Sequence, residues 1–140
     1  MDHAGLIEIA RAARERAYAP YSRFKVGAAL LARSGRVYAG CNVENASYPA
    51  GICAERCAVA KAVSEGESEF SAIAVVGDTE GPCAPCGICR QVLAEFGTDI
   101  DVVMANLKGD VKVVRVEDLL PGAFTGRDMS PTAGGGTREG

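Results

Sequence analysis

Two short fragments hold the side chains best suited to chemistry: Cys53-Ala54-Glu55 and Pro85-Cys86-Gly87-Ile88-Cys89. Cys86 follows Cys53 by 33 positions. A Cys-x2-Cys pair at a helix start sets two sulfurs about one turn apart, close enough to share one ion. Both fragments fall where a helix is expected to begin, and the amides and dipole at a helix N-terminus favour thiolate. Three thiolates, from Cys53, Cys86 and Cys89, make a tetrahedral zinc site with one position open, and an open position can take a water. The single histidine, His3, lies at the N-terminus. A transition-metal site in the core therefore draws on thiolates and carboxylates.

A Cys-x2-Cys pair also fits a redox couple or half of a structural site. Cys57 lies four residues after Cys53, on the same face of the expected helix, so Cys53, Cys57, Cys86 and Cys89 would close a four-cysteine structural zinc site. Glu55 weighs against that reading. An acid two residues from a ligand has no use beside a closed site, but it can reach the fourth position of an open one.

The elements that must place these residues follow from periodicity and punctuation. Leu6, Ile7, Ala10, Ala13 and Ala17 recur at helical spacing, which predicts an amphipathic helix over 4–17. Val26–Ala32 and Val37–Val43 flank Ser34-Gly35 and predict a β-hairpin. Cys53–Glu65 is Ala-rich and stops at Gly66; Cys86–Phe96 opens after Pro85 and stops at Gly97, so both are expected helices. Phe70–Val76, Asp101–Ala105 and Val111–Val116 are expected strands. The order α-ββ-α-β-α-β-β predicts an α/β fold of three layers, α/β/α, around a mixed sheet of about five strands. Residues 1–124 form one expected domain. The stretch 125–140 holds five of the chain's 17 glycines and is expected to be a disordered tail.

Composition limits the function classes. A chain of 140 residues, 48% apolar and 24% charged, has an ordinary globular balance. It buries ~68–70% of its unfolded surface and needs no disulfides to hold a core. The net charge of −3 and pI of about 5.2 disfavour a nucleic-acid partner, which would call for clustered Lys and Arg. No apolar run reaches the ~18–20 residues of a membrane span. The first residues mix acids with bases and do not read as a signal peptide. The expected location is the cytoplasm, where thiols stay reduced, so the six cysteines call for a role other than disulfides.

The fragments SRFKVGAALL, GCNVENASYPAG, CAER and PCGICRQ together resemble the small zinc-dependent cytidine deaminases of free-nucleoside metabolism, from about Tyr18 to Phe124. The resemblance implies one zinc ion per chain on Cys53, Cys86 and Cys89, with Glu55 as the proton shuttle of a hydrolytic deamination of cytidine and 2′-deoxycytidine. In that reaction water attacks, N3 gains a proton and the amino group leaves as ammonia. Three thiolates leave the metal site formally at −1, which a nearby cation would offset. The resemblance has Arg56 hydrogen-bond a ligand sulfur and draw off charge, and it sets Gln91 beside the metal ligands. Arg90, in the same motif, is left undecided between that kind of role and a surface charge.

The same resemblance implies substrate contacts. Asn42 and Glu44 would bind ribose hydroxyls, although by themselves they read as a turn former and a surface acid. Phe24 would lie against the pyrimidine ring, with core packing as its alternative. Ala54 and Cys86 would offer backbone groups to the base edge, and Tyr48 and Phe124 would reach the nucleoside from neighbouring subunits of a homotetramer. Lys25, Cys57 and Cys83 depart from the family pattern, and Cys41 reads as a small core residue. The competing readings are a non-catalytic four-cysteine module, a deaminase of a nucleoside antibiotic, and a nucleic-acid editor. The acidic pI argues against the editor, and the N-x-E ribose motif against the antibiotic.

Overall fold

The computed structural model describes residues 1–129. Its centre is a five-stranded sheet in the order β2-β1-β3-β4-β5. The strands are β1 (Val26–Ala32), β2 (Val37–Cys41), β3 (Phe70–Gly77), β4 (Asp101–Asn106) and β5 (Val111–Arg115). β3 and β4 run parallel and every other pairing is antiparallel, so the sheet is mixed. The parallel pair needs a crossover, and helix α3 (Gly87–Phe96) supplies it.

Alternation along the strands sorts the core into two layers. Leu30, Ile73, Val75, Val102 and Met104 face α2 (Ala54–Ser64) and α3, where they pack with Ala58, Ala62 and Leu93. Ala29, Ala72, Ala74, Val76 and Val103 face α1 (His3–Arg14) and meet Leu6 and Ala10. The central strands read as continuous apolar runs because both their faces are covered. The fold is α/β with three layers, one helix on one face and two on the other. No helix among the described residues is long and apolar enough to cross a membrane.

Several boundaries differ from the sequence expectation. Helix α1 ends at Arg14, not Ala17. There the Arg14 guanidinium turns to the Lys25 carbonyl, and Tyr18 leaves the helix to bridge Val43. β2 stops at Cys41, since Val43 pairs only through isolated bridges to Tyr18 and Ile52. β5 gives way at Val116 to a short helix, α4 (Val116–Leu119), opened by the Arg115 amide donating to the Asp118 carboxylate. Within the stretch expected as a tail, Gly126–Met129 form a single helical turn, α5; residues 130–140 lie outside the described residues.

Two glycines let helices lie directly on the sheet. A Cβ on Gly27 would stand 1.9 Å from the Ala10 carbonyl oxygen of α1. A Cβ on Gly40 would stand 2.6 Å from the Ala54 carbonyl oxygen and 2.7 Å from the Ala58 nitrogen of α2. These are backbone atoms at the start of α2, so a side chain at position 40 must displace that helix. Gly40→Ala is expected to lose about 1–3 kcal/mol of stability in urea unfolding, the usual cost of overpacking. An unchanged midpoint and slope would contradict the close seating of α2 on β2.

Candidate active site

The metal-binding candidates converge from two helix starts. Cys53 is the N-cap of α2 and Cys86 the N-cap of α3, both with extended backbone, and neither side chain caps its helix. Their sulfurs are therefore free for another partner. Cys89 sits in the first turn of α3 and is fully buried. The three sulfurs all lie within 4.8 Å of one another, and Cys53 Sγ is 3.8 Å from Cys86 Sγ. A tetrahedral zinc with Zn–S of about 2.3 Å places its sulfurs ~3.8 Å apart. The donor set and its spacing fit a three-cysteine zinc site.

Cys57 is not in this cluster. The four-cysteine reading assumed that Cys53 lies inside the helix, one turn before Cys57. As an extended N-cap residue, Cys53 points away from the helical register. Cys57 instead packs its Cβ against Gly40 of β2, on the flank where Cys41 lies.

Electrostatics within the cluster favour a cation. The Cys53 thiol is lowered to about 5, chiefly by a hydrogen bond from Cys89, with help from Arg56 and Cys86 against the effect of burial. The Cys89 thiol is pushed up by the same hydrogen bond, by burial and by the charges of Glu55 and Cys53. The two opposite shifts share one cause, a thiol proton held between neighbouring sulfurs. A bound metal replaces such protons. Arg56 Nη2 stands 3.5 Å from Cys53 Sγ, and Arg56 Nε is buried with no hydrogen-bond partner.

Glu55, second residue of α2, is 4% exposed. Burial pushes its carboxyl up to about 7, opposed by its own backbone amide, and the Cys53 charge raises it further. Its influence on the Cys83 thiol, which is pushed up to about 11 chiefly by burial, sets Cys83 in the same neighbourhood. Cys83 Sγ and the Phe24 Cζ lie 2.8 and 3.3 Å from the point a Cβ on Gly77 would occupy. Gly77, Cys83 and Phe24 thus meet at one place, with Cys83 within reach of the Glu55 charge. Cys83, one of the departures from the family pattern, is buried, and its amide donates to the Ala105 carbonyl of β4, a contact with no local signature.

The remaining expected residues fall into two groups. Asn42 and Glu44 clamp the segment that carries Phe24. Asn42 Nδ2 donates to the Phe24 carbonyl at 2.8 Å, and its Oδ1 accepts from the Val26 amide at 2.9 Å. The Glu44 carboxylate accepts from the Tyr21 and Ser22 amides at 2.9 and 3.1 Å and from the Ser22 hydroxyl. That hydroxyl, first among these donors, holds the carboxyl below its ordinary range. The clamp maintains Arg23 in the left-handed region at φ 60°.

Tyr48 and Phe124 form the exposed group, at 80% and 60%. Tyr48 opens a 3-10 turn, Tyr48–Ala50, and meets Tyr21 edge-on at 6.5 Å. A cleft lined by Tyr21, Ser22, Glu44, Asn45, Tyr48 and Gly51 lies here, without a cysteine in its wall. Ala54 is fully buried under Gly40. Gln91, expected beside the metal ligands, lies in α3 two residues after Cys89 and donates its side-chain amide to the Phe124 carbonyl at 2.6 Å.

Comparison with known proteins agrees with this geometry. The family described as the cytidine and deoxycytidylate deaminase zinc-binding region matches residues 1–105. A cytidine deaminase of Sporosarcina psychrophila is 55% identical over 134 residues, spanning 95% of this chain and 98% of that protein. One from Halalkalibacterium halodurans is 56% identical over 131 residues, spanning 93% and 99%. Among solved structures, a cytidine deaminase from Burkholderia pseudomallei superposes with a TM-score of 0.87 at 59% identity, covering 89% of this chain and all of that one.

Proposed function

The chain belongs to the family of zinc-binding cytidine and deoxycytidylate deaminases and its reaction is the hydrolytic deamination of cytidine; we propose that Glu55 carries the protons of that reaction, that Cys53, Cys86 and Cys89 hold one zinc ion per chain, and that 2′-deoxycytidine is also a substrate. When bound, zinc supplies the Lewis acidity that makes water nucleophilic near neutral pH. The observation that carries the Glu55 role is its burial in the first turn of α2, two residues after Cys53 and in contact with the sulfur cluster.

The proton steps balance through one carboxyl group. Glu55 takes a proton from the attacking water as the C4–O bond forms and delivers it to N3. It then passes the second water proton to the amino nitrogen as the C4–N bond breaks. The sum is cytidine plus water giving uridine plus ammonia. A single group can serve twice because it is a base in the first step and an acid in the second. Arg56 spreads part of the sulfur charge over its guanidinium, an outer contact of the kind that tunes a metal site.

Phe24, beside Gly77 and Cys83, offers a flat apolar wall to the pyrimidine ring, and the Ala54 and Cys86 backbones offer groups to its edge. Glu44 has room for a ribose hydroxyl. A carboxylate has about four acceptor sites, and three are taken by Tyr21 and Ser22. Asn42 has one amide hydrogen beyond those it uses, and it is the second ribose contact. Because both residues also shape the Phe24 segment, sugar recognition and ring placement are one unit.

The assembly we propose is a homotetramer in the cytoplasm whose chains share active sites. Its support is the exposure of Tyr48, Phe124 and Ile88, large apolar side chains, with Ile88 lying between Cys86 and Cys89 at the start of α3. Tyr48 and Phe124 would then close a neighbour's pocket around the nucleoside.

Two outcomes are expected. Glu55→Gln retains one zinc by elemental analysis while kcat falls by about 10²–10⁴ or more; near-normal turnover would remove Glu55 from the proton steps. Light scattering coupled to size exclusion gives the mass of four chains of 14.5 kDa each. A fully active single chain would contradict the shared pocket.

A further inference from the structure

Cys86 is the exposed member of the metal-binding set; Cys53 is half-buried and Cys89 buried. As an N-cap with extended backbone, it joins the helical ladder only through its carbonyl. Burial does not hold it in place; residue 90 reaches it on both sides, through the ordinary ladder bond of its backbone amide and through the arginine side chain. The Arg90 amide donates to the Cys86 carbonyl at 3.0 Å. The Arg90 side chain folds back toward the start of α3, where Nε donates to the Pro85 carbonyl at 2.8 Å.

The second grip fixes more than one atom. Proline has a locked φ, and Pro85 is fully buried, so the rotation left to it is the one that swings its carbonyl. Arg90 sets that rotation. The peptide bond is planar, so a fixed Pro85 carbonyl also fixes the Cys86 N–H on the opposite edge and the Cys86 Cα beside it. The guanidinium then spans to a third group: Nη1 donates to the Leu119 carbonyl at 2.9 Å. The next residue, Gln91, holds the Phe124 carbonyl of the same C-terminal segment.

We propose that Arg90 is a positioning residue for Cys86, holding the peptide in front of this metal ligand and tying it to the 119–124 segment that presents Phe124. Its fork is needed because two carbonyls in different directions are bonded by two nitrogens of one rigid plane. Lysine, a single flexible point charge, satisfies one of them. The two substitutions therefore grade the effect. Arg90→Met keeps the apolar stem and loses both hydrogen bonds, while Arg90→Lys keeps the charge and one hydrogen bond.

The inference rests on the zinc reading above, and the test separates the two. The full-length chain and both variants are loaded with zinc, and the metal-to-chain ratio is measured. Zinc release to a chromogenic chelator is then followed well below the unfolding temperature, with urea unfolding of the metal-free forms alongside. Arg90→Met is expected to release zinc about 10–100-fold faster than the parent, the range for outer contacts that orient metal ligands, with Arg90→Lys between them. KM for cytidine rises in Arg90→Met, where the Leu119 bond is lost and only the Gln91 bond still ties the Phe124 segment. Parent-like release from both zinc-loaded variants overturns the Arg90 role and leaves the zinc reading intact. Faster release that only tracks lost stability of the metal-free chain also overturns it, since that is ordinary structural damage. A parent chain that takes up no zinc defeats both readings.

Discussion

Three cysteine sulfurs within 4.8 Å of one another are the constraint around which this molecule is arranged. Two thiolates ~4 Å apart repel by about 4 kcal/mol even at an effective dielectric of 20. The cluster therefore persists as three thiolates only with positive charge brought to it. The protein brings some of its own: α2 and α3 both begin at the cluster, and Arg56 reaches Cys53. The remainder is the cation. The topology follows from this need, because helices that start at the same end of the sheet can aim two N-termini at one point. Strands β3 and β4 being parallel, with α3 between them, and α2 seated on Gly40 of β2 produce that arrangement.

The same geometry isolates Glu55. Placed in the first turn of α2 rather than at its cap, it turns inward and is desolvated, while Cys53, two residues earlier at the cap, carries its sulfur to the cysteine cluster. A carboxyl in this setting has few partners besides the sulfurs, which suits the proton-carrying role proposed for it. Opposite it, the Phe24 segment is held by side chains from the end of β2 and the loop after it. Asn42 and Glu44 use most of their hydrogen-bonding capacity on that segment, so a change at either residue reaches the placement of Phe24.

Much of this was legible in the chain itself. The apolar runs were dense enough, and Gly35, Gly66 and Gly97 well enough placed, for five strands and three main helices to be read in order. The sulfur cluster was legible because its residues fall at helix starts, where local signals are strong. What escaped depended on distant partners. The Gln91 amide meets Phe124, 33 residues away, and the Arg90 fork reaches Leu119, 29 residues away, contacts that motif position alone does not show. Cys57 looked competent as a ligand on spacing, but spacing cannot say whether Cys53 is helical or a cap. Glu44 read as a surface acid or a sugar ligand, and its three contacts to Tyr21 and Ser22 come from a loop 22 and 23 positions earlier.

The central claim is that two helix starts build one open zinc site from Cys53, Cys86 and Cys89. X-ray absorption at the zinc edge of the purified chain tests it most directly. The account predicts three sulfur neighbours at about 2.3 Å and one oxygen or nitrogen neighbour at about 2.0 Å. Four sulfur neighbours would contradict it by restoring the closed site with Cys57, and a shell of nitrogen and oxygen alone would remove the cysteine cluster from metal binding altogether.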